Sequence, residues 1–258
     1  MKAVTSRDNA AYKAIARLAT SSSERRREGL SLIEGPHLLD AFLASGAQAR
    51  EVLVTKAALE RSEIASLIER SGSARVTLLS DALFDALSGV QAPSGVIAVV
   101  PTPGARKVPP TAPLVLALDE IQDPGNVGTL LRSAAAAGAA HVLLSKGCAF
   151  AWSPKVLRAA MGAHFGLNIV EGADLEAFIA AYRGATIALT VDGETSIYDL
   201  DLREPTAFLV GNEGAGLSES LKAHAAHRAR IPMPGRVESL NAGIAGSLCL
   251  FEAVRQRA

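Results

Sequence analysis

Three glycine-rich segments in the second half of the chain, each straight after a strand-like run, constrain the fold more than any other feature. They span Asp119–Arg132, Phe208–Ser218 and Ile231–Asn241. Glycine at a strand end lets the backbone turn tightly and approach a ligand, because no Cβ intervenes. In an open α/β sheet, ligands bind at the carboxyl ends of the strands. Three such loops, carrying an arginine, a glutamate, a serine and two asparagines, describe a site. One glycine loop would not.

The run that feeds the first loop, Pro113–Leu118, is short and continuously apolar, and Pro205–Val210 is the strand before the second. That is the pattern of strands buried on both faces of a parallel sheet. Helical stretches are expected over 127–137, 153–162, 174–182, 217–225 and 240–256, with further strands at 141–144, 166–170, 186–190 and 230–231. The result is an α/β fold, a mostly parallel sheet with helices on both faces. Upstream, Pro101–Pro113 packs five prolines and a glycine into 13 residues. This composition reads as a semi-rigid linker dividing the chain. The first hundred residues alternate helices (9–20, 36–45, 57–70) with strands (51–55, 75–79, 95–100) and an apolar run at 30–33, a small α/β unit.

At 258 residues, the chain holds one large domain or two modest ones. No apolar run approaches the roughly 20 residues that cross a bilayer. Cys148 and Cys249 give neither a disulfide framework nor a metal spacing. A reduced, cytoplasmic setting and no bound metal are therefore expected. Net charge is zero, yet residues 1–30 hold seven basic residues against three acidic ones. Lys13, Arg17, Arg25, Arg26 and Arg27 are the candidate phosphate contacts of that stretch, the alternative being a solvated amino-terminal helix.

In the first glycine loop Asn126 stands where a helix N-cap belongs, and Arg132 falls on the second turn of the helix. From there an arginine can grip a phosphate or oxyanion with its fork of donors, or simply be an exposed helix residue. In the second loop Gly211, Gly214 and Gly216 surround Glu213. Their spacing is not the dinucleotide fingerprint, and the Gly-Lys-Ser/Thr of a phosphate loop is absent, which argues against a nicotinamide oxidoreductase. Glu213 can orient a hydroxyl, neutralise Arg132, or meet a helix dipole. The third loop places two prolines after a strand and then enters a helix holding Gly243 and Gly246. Each interior glycine costs about 1 kcal/mol relative to alanine, so a close approach by a cofactor loop or partner helix is expected; a densely packed core is the alternative.

Taken together, Asn126-x-Gly128-x-x-x-Arg132, Leu209-Val-Gly-Asn-Glu213-Gly and Ile231-Pro-Met-x-Gly235-x-x-x-Ser239-Leu-Asn241 resemble the three signature motifs of the SpoU (TrmH-type) RNA ribose 2′-O-methyltransferases of the SPOUT superfamily. Ile33–His37 and Glu51–Thr55 likewise resemble the L30e-like substrate-binding domain of that family. The resemblance implies a substrate-binding domain over 1–103, a linker at 104–113 and a catalytic domain over 114–258 closed by a trefoil knot. It implies S-adenosylmethionine as cofactor, held by Thr190, Leu209, Gly211, Ile231, Met233 and Leu240, and a homodimer formed through the knot region and the last helix. Arg132 would act on the RNA ribose or its phosphate across that dimer interface, with Asn126, Glu213, Ser239 and Asn241 shaping the site. One departure is visible: Ala242-Gly243 stands where the family often has Val-Ser or Val-Ala. The implied activity is methylation of a ribose 2′-hydroxyl in structured RNA, rRNA before tRNA. The alternative is a non-catalytic RNA-binding or ribosome-assembly protein on the same fold. Histidines outside the motifs, His141 and His164, are read as structural.

Overall fold

A computed structural model describes all 258 residues and divides them into two compact units. The first runs β1 (Lys2–Val4), α1 (Ala10–Thr20), α2 (Ser22–Glu28), β2 (Leu30–Glu34), α3 (Pro36–Ala44), β3 (Glu51–Thr55), α4 (Lys56–Leu59), α5 (Ser62–Arg70), β4 (Arg75–Leu79), α6 (Asp81–Asp85) and β5 (Val96–Pro101). Its sheet has the order β1-β4-β3-β5-β2, with β1, β4 and β3 parallel and β5 antiparallel to both neighbours. Asn9 caps α1 by accepting from the amides of Ala11 and Tyr12 at 3.0 and 3.2 Å. The apolar face of α1 (Tyr12, Ile15, Leu18) then buries against Leu53, Leu79 and Ile97 of the sheet. What reads as one helix over 57–70 is two, α4 and α5, interrupted around Glu60 and Arg61.

The second unit carries β6 (Leu114–Leu118), α7 (Pro124–Ala136) and β7 (His141–Leu144). The next helix, α8 (Pro154–Ala160), does not belong to it. Residues 152–165, expected within the carboxy-terminal domain, fold with the first unit. Arg158 lies 3.7 Å from Glu34, and Phe165 meets Phe42 edge-on at 5.2 Å. The second unit resumes with β8 (Asn168–Glu171), α9 (Leu175–Ala181), β9 (Ala185–Leu189), β10 (Thr195–Ser196), β11 (Thr206–Val210), α10 (Glu219–His224), β12 (His227–Arg230) and α11 (Ala242–Arg257).

Its seven strands, in the order β10-β12-β9-β11-β6-β7-β8, are all paired in parallel. Successive residues of a strand face opposite sides, and both sides are covered. Leu209 packs with Leu175 and Ile179 of α9, while Val210 meets α11 at Gly246 on the other side. The proline-rich segment is fastened rather than free. The Asn168 side chain bonds both the N–H and the C=O of Arg106, at 2.7 and 2.9 Å. Further along, the Tyr182 hydroxyl donates to Ala112 O at 2.6 Å.

The glycines of α11 answer to a helix of the same chain. A Cβ on Gly246 would lie 2.4 Å from Leu130 Cδ2 of α7 and 3.2 Å from Val210 Cγ2, both side chains buried. Beside this contact the hydroxyls of Ser133 and Ser247 sit 2.7 Å apart. Gly246→Ala is therefore expected to destabilise the protein by about 1–2 kcal/mol, even though alanine gains about 1 kcal/mol of helix propensity. Adding Leu130→Val should recover part of the loss, as read by denaturant unfolding.

Candidate active site

The loops after β9, β11 and β12 enclose a cavity of about 530 Å³ in the second unit, and the loop after β6 and the first turn of α7, Asn126 included, supply none of its lining. The sheet order forces this arrangement. The chain leaves β11, forms β12 on the far side of β9, and must return across both strand ends before α11 packs on α7. Of the expected residues, Thr190, Gly211, Glu213, Ile231, Met233 and Leu240 line the cavity, as do Ser239 and Asn241. Leu209 does not: it is fully buried on the α9 side of the sheet, and its neighbour Val210 lines the wall instead.

Asn126 is not the helix cap. Pro124, with its fixed φ and no N–H, starts α7, and Asp123 caps it by accepting from Asn126 N at 2.8 Å. The helix thus begins three residues before 127, which places Asn126 inside the first turn, buried, with its amide free to bridge. Its Nδ2 donates to Glu213 Oε1 at 2.9 Å, and its Oδ1 accepts from Asn241 Nδ2 at 2.8 Å. Asn241 in turn caps α11 by accepting from Ile244 N at 3.2 Å. One amide therefore ties together all three glycine-rich loops.

Burial works to raise the pKa of Glu213, but the Asn126 amide and backbone N–H groups, including those of Asp123 and Gln122, outweigh it. The carboxyl is held below its usual range. The loop around it closes on itself through paired Asn212 and Gly216 backbones. A Cβ on Gly211 would stand 2.2 Å from Leu217 N, so glycine is required here by the loop's own backbone. Asn212, which the motif reading passed over, accepts from the amides of Gly214 and Ala215 and donates to Glu120 O at 2.8 Å. An asparagine two residues ahead of a glycine is the sequence sign of such a turn.

The cavity lining is acidic. Asp192, Glu213 and Glu238 line it against one cation, Lys222, which pairs with Glu219 at 2.8 Å. The Thr190 hydroxyl is buried in the wall, close enough to hold the Asp192 carboxyl below its usual range yet in no well-formed hydrogen bond. Arg132 lies outside the lining, exposed on the third turn of α7 and without an ion pair. His141 bonds Asn168 at 3.0 Å, and His164 is fully buried beside Trp152.

The basic amino-terminal cluster is largely engaged. Arg25, expected to contact phosphate, is 5% exposed, and its guanidinium donates to the carbonyls of Leu18 and Ala19 at the end of α1. Burial, aided by Arg26, lowers its pKa. Arg17 and Arg27 both lean on Glu24, at 3.7 and 2.6 Å, and Lys13 pairs with Asp8 at 2.7 Å. Arg26 is exposed.

Comparison with known proteins finds relatives over nearly the whole chain. Residues 113–251 match the SpoU rRNA Methylase family, and residues 9–98 match an MRM3-like substrate binding domain. A Synechocystis protein described as an uncharacterized tRNA/rRNA methyltransferase is 33% identical, covering 98% of this chain and 94% of its own. The 23S rRNA (guanosine(2553)-2′-O)-methyltransferase of Bacillus subtilis is 31% identical, covering 97% and 98%. The crystal structure of the SpoU methyltransferase AviRb from Streptomyces viridochromogenes, in complex with AdoMet, superposes with a TM-score of 0.87. It is 29% identical, over 96% of this chain and 98% of that one.

The Asn126 bridge has a signed pH consequence. In the native chain Glu213 has a lowered pKa, so its contribution is present at neutral pH and is lost as pH falls through the carboxylate range. Asn126→Asp sets a second carboxylate against it and raises the folded-state pKa of the pair. That variant should melt lower than the native chain at pH 7 and gain on it between about pH 6 and 3. Melting temperature against pH reads the opposite trend.

Proposed function

Because the chain belongs to the SpoU rRNA methylase family, we propose that it transfers a methyl group from S-adenosylmethionine to a ribose 2′-hydroxyl of large-subunit rRNA, with tRNA the second candidate. The observation that carries this reading is the meeting of the second and third glycine-rich loops around one acidic cavity, with the first loop tied to both through Asn126. A lining with three carboxylates and one lysine suits a donor that bears a sulfonium and an ammonium. The bound donor supplies an electrophilic methyl group for in-line displacement.

The chain's own groups divide the remaining work. Backbone at Gly211, Ile231 and Leu240 holds the adenosine, and the Thr190 hydroxyl is placed to complete its polar contacts. Glu213 and Asn241 are held rigid through Asn126, so their orientation is set before RNA arrives. Arg132 carries a planar fork of five N–H donors. Its task is to position the ribose and stabilise the oxyanion as the 2′-hydroxyl proton leaves, with an RNA phosphate taking that proton.

Ile244, Leu248 and Phe251 follow one another at helical spacing on α11, 51%, 40% and 48% exposed. An apolar stripe of this kind on an outer helix supports a homodimer through α11. Arg132, outside its own cavity's lining, would then serve the partner's site. The return path of the chain after β12 supports the trefoil knot that the family resemblance implies.

Arg132→Ala should lower methyl transfer to rRNA by about 10²–10³-fold and leave donor affinity nearly unchanged, as read by labelled-donor assay and calorimetry. A collapse of donor affinity in a folded variant would reverse the assignment. Phe251→Asp should give a monomer by sedimentation and abolish turnover; a dimeric, active variant would remove α11 from the interface.

A further inference from the structure

The first unit holds a second cavity, of about 310 Å³, that the methyl-transfer reading does not use. It opens on one face of three adjacent parallel strands. The register sets Glu51 of β3 beside Arg75 of β4, and Thr77 of β4 beside Lys2 of β1. Alternation sends these four side chains to the same face as Leu53, Leu79 and Val4, under α1. Glu51 is 8% exposed and Thr77 4%. The Thr77 hydroxyl donates to Glu51 Oε1 at 2.6 Å, and Arg75 reaches Oε2 at 3.6 Å with most of its side chain in solvent. The Tyr12 hydroxyl is spent on Leu83 O at 3.0 Å, which leaves its ring in the wall.

A carboxylate accepts at about four lone-pair positions, and Thr77 and Arg75 do not fill them. The cavity therefore offers a buried double acceptor, apolar and aromatic walls, and two cations, Lys2 and Arg75, at its exposed rim. A cationic ligand is disfavoured by that rim. A ligand with two adjacent N–H donors on a flat apolar body and an anionic group attached fits every part. Guanine in a nucleotide has this form, its N1–H and N2–H facing the two carboxylate oxygens. Volumes of roughly 300–1,000 Å³ are typical of small-molecule sites.

We infer that this cavity is a guanine pocket, in which the first unit captures an unstacked guanosine of the RNA substrate. Single-stranded RNA is read in this way elsewhere, by stacking on aromatic walls and bonding at the Watson–Crick edge. As an RNA contact the inference rests on the methyltransferase reading, whereas as a guanine site it stands on the cavity alone.

Calorimetry of the full chain with guanosine 5′-monophosphate should show saturable binding, with adenosine 5′-monophosphate about tenfold weaker. Glu51→Gln should weaken the guanosine nucleotide by about tenfold as well, since an amide turns one acceptor into a donor. Ala11→Trp, at an exposed position of α1 that lines the cavity, should block binding without touching the core. Both variants should raise KM for rRNA and leave kcat unchanged. No binding of the nucleotide, or unchanged binding in both variants, overturns the pocket. An unchanged KM in both variants, where the wild-type chain methylates rRNA, overturns its role in RNA capture and leaves the proposed function standing. Glu51-dependent binding in a chain that transfers no methyl group supports the guanine site and overturns the enzyme reading.

Discussion

The second unit depends on a side-chain amide that faces two ways. Asn126 gives its N–H to a carboxylate that can only accept, and takes at its carbonyl an N–H from Asn241. The direction of the chain of bonds is fixed by the anion at one end. Glutamine or aspartate at position 126 would change either the reach or the polarity, and each loop would lose its reference to the other two. The geometry becomes available only because Asp123 and Pro124 start the helix early, leaving Asn126 buried within it.

From that knot of polar groups the apolar packing follows. Asn241 fixes the first turn of α11, and the missing Cβ atoms at 243 and 246 then bring α11 against α7. This contact leaves the opposite, apolar side of α11 outward. The sheet contributes in another way: uniform parallel pairing brings the carboxyl ends of β6, β9, β11 and β12 to one edge.

Much of this was legible in the sequence, because it is written in local terms. Continuous apolar runs mark strands buried on both sides, and glycines beside polar residues mark the loops that follow them. The second and third loops line one cavity, and the first is tied to both through Asn126 without reaching the lining. What was not legible depends on partners distant along the chain. Arg25 looks like its neighbours Arg26 and Arg27, yet the terminal carbonyls of α1 lie where its guanidinium can reach them, and burial follows. Leu209 and Val210 are equally apolar, and only the pleat decides which of them meets the cavity. Helix α8 has the same amphipathic pattern whichever core it joins. Glu34, which meets Arg158 of the helix, and Phe42, which meets Phe165 just after it, lie more than a hundred residues upstream.

That attachment bears on how the protein is made. The first unit is not complete when residue 104 has been synthesised, because it lacks the stretch 152–165. At about 5–20 residues per second, the ribosome needs roughly 3–12 s more to deliver the missing piece. Throughout that interval the surface that receives α8 stays uncovered, while part of the second unit's sheet has already emerged. The first unit therefore closes only after the second has begun, unlike beads on a string. It closes when residue 165 emerges, with residues 166–258 still to come for the second unit.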